Sequence, residues 1–320
     1  MPPPFSSLST HFLWQRGAAH LASWGLLPRL RQLGCAPLPE LTFDFGRVAI
    51  TGRPPAVQGV SDTYCPRRTI LDKLLVDAAV EAGAELLDRT SVIGVRWAGG
   101  RACGLDIRGA DGTSKRLDAR VVVGADGRHS VNATDTQAKA CGSVPPLTFV
   151  YYSYWSGLSD GGPAYYMRPG RLILRWPTND RLTCIYVGSP RAESGSSGAT
   201  SRPTSCGPGL CRGAWRRGDR RRREERFKGA ADLSNFYRMA YGPGWALAGD
   251  AGHHKDPATG LGMSDAFAGA EALAAALDGF LAGEQSWDTA LDGYQKWRDA
   301  ATAEGWRVTL TAASLRPVST

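Results

Sequence analysis

The sequence lacks the features that mark membrane-spanning and secreted proteins. No apolar run in its 320 residues reaches the roughly 18 residues needed to cross a bilayer. The stretch from Met1 to Trp14 lacks the charged-then-apolar order of a signal peptide. A hydrophobic fraction of 42% is nevertheless typical of a globular chain. These observations predict a soluble cytoplasmic protein.

The cysteines are too few and too scattered for a disulfide framework. There are seven of them, an odd number, spread along a long chain. Cys206 and Cys211 form the one close pair, and no histidine near them completes a zinc site. The sequence therefore predicts no metal centre.

The chain also lacks a general excess of one charge, although its formal net charge is +8. Residues 191–228 hold eleven basic and four acidic side chains, whereas the other residues carry 27 basic and 26 acidic ones. The basicity is therefore confined to one tract and does not cover the whole surface.

Hydrophobic periodicity predicts one clear helix and several strands. Residues 68–82 carry an i, i+3, i+4 apolar stripe, with Thr69 and Asp72 spaced as in a capping box. Runs at 92–97, 103–108 and 114–117, joined by glycine turns, predict a three-stranded meander. Residues 147–190 alternate strands with turns, and their tyrosines and tryptophans fit either plain core packing or a substrate cavity.

Two short apolar strands each deliver an aspartate at the carboxyl end, Asp126 after residues 121–123 and Asp250 after residues 245–249. Ligands of open α/β sheets bind beyond the carboxyl ends of parallel strands, so both carboxylates should face one crevice. Glycines 252, 260 and 262 precede an Ala-rich helix, whose start presents free N–H groups and positive dipole. This junction is suited to a polar or anionic ligand.

The order of these motifs resembles a known family. Arg-x-x-Leu-Asp at 68–72 is followed by Gly-Ala-Asp-Gly-x-x-Ser at 124–130, and then by Trp-Ala-Leu-x-Gly-Asp-Ala-x-His with Pro257 and Gly-Leu-Gly at 245–262. This order is similar to that of the aromatic-hydroxylase type of FAD-dependent oxidoreductases, a superfamily that also contains geranylgeranyl reductases and flavin halogenases.

The resemblance implies a cofactor site and an activity. It implies FAD as cofactor, NAD(P)H as electron donor, and monooxygenase chemistry on a hydrophobic or aromatic small molecule, without assigning a catalytic residue. Arg68 would contact the FAD phosphate or ribityl region, Asp126 would anchor the pyrophosphate loop, and Asp250 would bind the ribityl chain. The backbone of residues 260–264 would face the flavin pyrimidine. The implied cofactor-binding residues are Arg68, Asp126, Gly127, Gly249, Asp250, Pro257, Gly260, Leu261, Gly262 and Met263.

The implied fold is α/β, a Rossmann-like parallel FAD-binding sheet interrupted by an antiparallel substrate domain. Residues 1–40, 67–140 and 241–285 are assigned to the FAD-binding domain and residues 286–320 to a C-terminal helix. Residues 41–66 and 141–240 are assigned to the antiparallel sheet domain.

Two departures from the family pattern leave alternatives open. The Gly-x-Gly-x-x-Gly fingerprint that opens the dinucleotide fold is not found, and the start of the chain resembles the segment just after that unit. Residues 191–222 have too few large apolar side chains to bury a face, which fits a frame-shifted reading, a flexible insertion or an RNA-binding arm. The alternatives to an active oxidoreductase are therefore a truncated, inactive flavoprotein fragment and an Arg-rich nucleic-acid-binding protein.

Overall fold

A computed structural model describes residues 11–158, 161–195 and 221–316. Most of the Arg-rich tract predicted at 191–222 thus lies outside the described residues. The helices of the described part are α1 (Gln15–Ser23), α2 (Leu27–Gln32), α3 (Arg68–Glu81), α4 (Val131–Asp135), α5 (Gly262–Leu281) and α6 (Trp287–Ala313).

Short strands make up much of the remainder. They are β1 (Leu41–Asp44), β2 (Ala49–Gly52), β3 (Ser91–Ala98), β4 (Arg101–Arg108), β5 (Ser114–Asp118), β6 (Val122–Gly124), β7 (Ala140–Val144), β8 (Thr148–Ser156), β9 (Ala164–Arg168), β10 (Arg171–Pro177), β11 (Thr183–Pro190), β12 (Arg222–Arg223), β13 (Lys228–Ala230), β14 (Asn235–Arg238), β15 (Tyr241–Gly242), β16 (Trp245–Leu247) and β17 (His253–His254).

The largest sheet has eight strands and is mainly antiparallel. Its order is β12-β8-β11-β10-β9-β1-β2, with β13 also paired to β8, and β1 runs parallel to β9. Side chains alternate between its faces, so Tyr152 and Tyr154 enter the main core while Tyr151 and Trp155 pack on the opposite face. Phe12 stacks on Trp176 in the main core, with ring centroids 4.1 Å apart.

The predicted meander is confirmed, because β3, β4 and β5 form an antiparallel sheet in that order. The predicted helix is also present as α3, which buries Leu71 and Leu74. The predicted capping box of Thr69 and Asp72 is wrong. The N-cap of α3 is Arg67, whose side chain makes no cap bond. Asp72 does not cap the helix, because its carboxylate accepts a 2.6 Å hydrogen bond from the Arg68 guanidinium.

The parallel strand pair that positions the two aspartates is present. β6 runs parallel to β16, with Val122 beside Trp245 and Gly124 beside Leu247, and β15 covers the other edge of β16. A short apolar strand between two others would be buried on both faces, but Val122 is buried and Val123 is 40% exposed. The reason is that β6 ends this three-stranded sheet, with no further strand beside it in the described residues.

Candidate functional site

The two aspartates that follow the parallel strands are used differently. The carboxylate of Asp126 accepts hydrogen bonds from Ser130 Oγ (2.6 Å), from the backbone N–H groups of Val131 and Asn132, and from the Asn132 amide. Burial opposes ionisation of Asp126, but these donors outweigh it and lower the pKa of the carboxyl. Asp126 thus anchors the loop that enters α4, and the neighbouring Gly127 makes the turn with φ +79°.

Asp250 follows β16 in a one-turn 3-10 helix, Gly249–Ala251. Gly249 adopts φ +55°, a left-handed conformation that glycine permits at low cost. The Asp250 side chain is exposed and accepts no hydrogen bond from the described residues. Of the two predicted carboxylates, Asp250 is therefore the one available to a ligand.

The segment after Asp250 leads directly to the start of α5. Asp256 accepts a 3.0 Å hydrogen bond from the N–H of Ala258 and so caps the 3-10 helix Pro257–Thr259. Gly260 then reverses the chain with φ +67°. At Gly262 a Cβ would have no atom within 4 Å, so the first turn of α5 has open space beside its backbone.

The remaining predicted residues lie around this turn. Leu261 is the N-cap of α5 and makes no side-chain cap bond, and Met263 packs partly buried against the cluster formed by α1, α2 and α3. Arg68 begins α3, where its ion pair with Asp72 holds the guanidinium. The structure therefore collects residues 249–263 at one junction, while Asp126 and Arg68 are held in local contacts of their own.

Three charged side chains at this junction, Lys255, Asp265 and Arg16, were not predicted from the sequence. Lys255 forms an ion pair with Asp265 in the first turn of α5, and both line a cavity of about 20 Å³ together with Asp250 and His253. Arg16 on α1 lines a neighbouring cleft of about 410 Å³ and has no ion pair or hydrogen bond within the described part of the chain. Trp297 of α6 borders both spaces.

The electrostatics of the two cationic neighbours differ. Burial lowers the pKa of Lys255 to about 8, with Asp250 opposing and Arg16 adding to the decrease. Burial and the nearby charge of Lys255 lower the pKa of His253 to about 2, so its ring is neutral at pH 7. No sequence motif signals Lys255, because its importance comes from Asp265 and Arg16, which other elements bring beside it.

A buried atom without a partner favours a polar ligand at the junction. His253 Nε2 has no hydrogen-bond partner, and His253 lines the small cavity together with the charged Asp250, while Arg16 offers a positive charge in the neighbouring cleft. Ser264 Oγ is also buried without a partner, but it lies toward Gly17 of α1. Hydroxyls and ring heteroatoms of a ribityl-flavin group could satisfy such donors and acceptors, so the residues fit this group. In the described residues no cluster of three or more His, Cys, Asp or Glu side chains could hold a metal ion.

Comparisons with known proteins agree with this architecture. No protein-family model matches the chain. A digeranylgeranylglycerophospholipid reductase of Methanothrix thermoacetophila is 27% identical over 255 residues, which cover 74% of this chain and 60% of the reductase. The chain thus spans about 60% of the length of this curated relative.

Solved structures share the fold at low sequence identity. The myxobacterial chondrochloren halogenase CndH has a TM-score of 0.83 at 19% identity, with 99% of this chain and 79% of that chain covered. The p-nitrophenol 4-monooxygenase PnpA of Pseudomonas putida has a TM-score of 0.81 at 18% identity, with coverages of 98% and 81%. PqsL, a probable FAD-dependent monooxygenase of Pseudomonas aeruginosa, has a TM-score of 0.75 at 23% identity, with coverages of 96% and 84%.

None of the helices in residues 11–158, 161–195 and 221–316 is both long and apolar enough to cross a membrane. The chain has the fold of the solved halogenase and monooxygenases named above, as its motifs predict, and is similar in sequence to the digeranylgeranylglycerophospholipid reductase.

Proposed function

We propose that this chain forms the flavin-binding part of an FAD-dependent oxidoreductase that takes electrons from NAD(P)H and acts as a monooxygenase. The observation that carries the proposal is the free carboxylate of Asp250 beside the open first turn of α5. The flavin would supply the redox chemistry when bound, and the chain would bind and orient it.

Each part of the junction has a task in this proposal. Asp250 would accept hydrogen bonds from ribityl hydroxyls, and its charge would make these bonds stronger than those of a neutral pair. The backbone N–H groups at the start of α5 would be available to the pyrimidine part of the flavin, where the positive helix dipole would stabilise negative charge. Arg16 adds a cation in the neighbouring cleft, which runs along Ala268, Glu271 and Ala272 of α5.

The aromatic side chains that border the junction support a hydrophobic or aromatic substrate. Trp14 Nε1 and the Tyr165 hydroxyl both donate to the carbonyl oxygen of Thr259, at 2.9 and 3.1 Å. Phe12 and Trp176 pack against Tyr165 behind them. The aromatic core of the large sheet thus reaches the loop that precedes α5, and a substrate bound on that side would meet aromatic surface.

The proposal is tested with Asp250→Ala, and Asp278→Ala is the matched control because Asp278 is an exposed aspartate near the other end of α5. FAD is titrated into each chain and its fluorescence quenching gives the dissociation constant. Loss of a charge-assisted hydrogen bond worth roughly 1.5 to 3 kcal/mol should weaken binding by about ten-fold to a hundred-fold. Equal affinity in the Asp250→Ala and control chains would contradict the assignment.

Affinity in the unaltered chain should itself be modest. The printed sequence holds no Gly-x-Gly-x-x-Gly turn, whose helix start normally neutralises the pyrophosphate. FMN, which shares the ribityl-flavin end but lacks the ADP half, should therefore bind almost as well as FAD. Supplying the fingerprint unit upstream should favour FAD strongly.

The alternative of an inactive flavoprotein fragment makes the same binding prediction but a different one for turnover. An active oxidoreductase oxidises NADPH or NADH in the presence of FAD, whereas an inactive fragment binds flavin without oxidising either. The nucleic-acid-binding alternative depends on the tract 191–222, of which residues 196–220 lie outside the described part of the chain.

A further inference from the structure

We propose that Lys255 sets the charge at the start of α5 and thereby tunes how readily the bound flavin is reduced, an inference that rests on the proposed function. Lys255 acts through its ion pair with Asp265 and is a positioning residue, because its buried ammonium need not touch the ring.

The geometry ties the two side chains to the cofactor junction. Lys255 and Asp265 are 3% and 11% exposed, and the lysine ammonium donates to the Asp265 carboxylate. Asp265 lies in the first turn of α5, three residues after Gly262. Lys255 lies five residues after Asp250, and both line the same small cavity.

An unpartnered buried atom points independently to a ligand here. His253 is 7% exposed and lines the same cavity as Lys255, and its Nε2 has no hydrogen-bond partner in the described structure. The cavity beside His253 has a volume of about 20 Å³. That volume holds about one water molecule, which could link the Lys255–Asp265 ion pair to a ligand at the start of α5.

The charges around the ammonium come close to cancelling. An acidic side chain in the first turn of a helix offsets the positive end of its dipole, so Asp265 alone would weaken the stabilisation of a reduced flavin. The positive charge of Lys255 neutralises that of Asp265. The other charged or titratable groups that face it from neighbouring elements are Arg16 of α1, Asp250 after β16, His253 of β17 and Arg298 of α6.

These neighbours leave Lys255 as the group that changes charge. The His253 ring is neutral, and Arg298 pairs with Asp299 while donating to backbone carbonyls. Arg16 and Asp250 carry opposite charges. When Lys255 loses its proton, Asp265 is left unbalanced, so the start of α5 becomes more negative by one charge and reduction of a nearby flavin becomes less favourable.

Thermodynamic linkage gives the sign of the pH effect. Burial lowers the pKa of Lys255 to about 8, and the negative charge of a reduced flavin would raise it again. Lys255 would thus have a lower pKa beside oxidised flavin and a higher pKa beside reduced flavin. At pH values between these two, reduction is accompanied by the uptake of one proton at Lys255. The midpoint potential of the bound flavin should fall more steeply with pH from about 8 upward.

The experiment measures that potential across pH in the full chain saturated with FAD, using redox dyes. The unaltered chain should show the steeper segment. Lys255→Arg should keep the potential of the unaltered chain at pH 7 and lose the steeper segment, because arginine stays charged. Lys255→Met should have a lower potential at pH 7. Lys296→Met, which removes an exposed lysine of α6, is the control and should leave the profile unchanged.

A double variant separates charge from packing. Lys255→Met with Asp265→Asn removes both charges, so its potential at pH 7 should return toward that of the unaltered chain, without the steeper segment. A potential as low as that of Lys255→Met alone would instead show a packing effect and overturn the proposal. Equal profiles in the unaltered chain and Lys255→Met would also overturn it.

A readout without flavin completes the test. The ammonium resonance of Lys255, assigned by its loss in Lys255→Arg, should titrate well below that of Lys296, whose pKa is raised by its hydrogen bond with Asp292. Titration in the same range as Lys296 would contradict the inference while leaving flavin binding intact. A chain that binds no flavin would contradict the proposed function, and with it this inference.

Discussion

At Asp126 one carboxylate receives four hydrogen bonds, three of them from residues at the start of α4. The lowered pKa of this carboxyl means that its ionised form is favoured by folding. Such a group contributes stability above its unfolded pKa, and the contribution is lost as pH falls through the folded pKa. Asp126 therefore links acid stability to the loop that follows β6.

We expect Asp126→Asn to lower the free energy of unfolding at pH 7 by about 1 to 2 kcal/mol, as for loss of a helix cap. The deficit should shrink as pH falls below the ordinary aspartate pKa of about 4, because the unaltered carboxyl then also becomes neutral. Urea unfolding at pH 7 and at a pH below the ordinary aspartate pKa measures the free energy of unfolding of both chains. Asp278→Asn is the control, and a deficit that does not depend on pH would contradict the ionic account.

The sequence predicts some site residues better than others for a physical reason. The positions of Asp250, Gly260 and Gly262 follow from local rules, since a strand end, a left-handed turn and a helix start are properties of neighbouring residues. Lys255 and Arg16 could not be predicted, because their environment comes from residues far along the chain. Whether Arg68 contacts a phosphate stays a prediction.

At the scale of elements, long periodic segments were predicted well and very short strands were not. α3 and the β3-β4-β5 meander carry enough residues for their hydrophobic period to show. The sheet β17-β14-β7 is held by pairs such as Phe236 with His254, and strands of two to five residues have no readable alternation. Their pairing is decided by tertiary contacts alone.

The turn between β15 and β16 fixes the strand that leads to Asp250. Gly244 has φ +76°, and a Cβ there would lie 2.3 Å from the carbonyl oxygen of Ala102 on β4. We expect Gly244→Ala to destabilise the chain by about 2 to 4 kcal/mol through backbone strain and the clash. Gly283 has φ +79° and a Cβ there would have no atom within 4 Å, so Gly283→Ala should lower the free energy of unfolding by about 1 kcal/mol through backbone strain alone. Thermal unfolding of both variants measures the difference, and equal losses would exclude the clash.

At the scale of the whole molecule, burial is uneven. An aromatic-rich core packs against the large sheet, and a leucine-rich core packs between the helices α1, α2 and α3. By contrast, β3, α4 and β6 are neighbours that each leave a large aliphatic side chain outside, with Ile93 44%, Val131 42% and Val123 40% exposed. Side chains that are exposed singly are ordinary on protein surfaces, so the exposed position that matters here is Val123, because it lies on the outer strand of its sheet.

The exposed edge of β6 predicts self-association of the chain in solution. Among the described residues no strand pairs with the outer edge of β6, so this edge offers N–H and C=O groups for pairing, and the exposed Val123 beside them adds hydrophobic attraction. We expect Val123→Lys to reduce the fraction of oligomers seen by light scattering, because a charged edge residue opposes strand pairing. Stability should change by less than about 0.5 kcal/mol, since the side chain is partly exposed. Leu281→Lys is the matched control, because Leu281 is 44% exposed but ends a helix rather than flanking a strand edge. An equal fall in association for both variants would mean that net charge, and not the β6 edge, controls it.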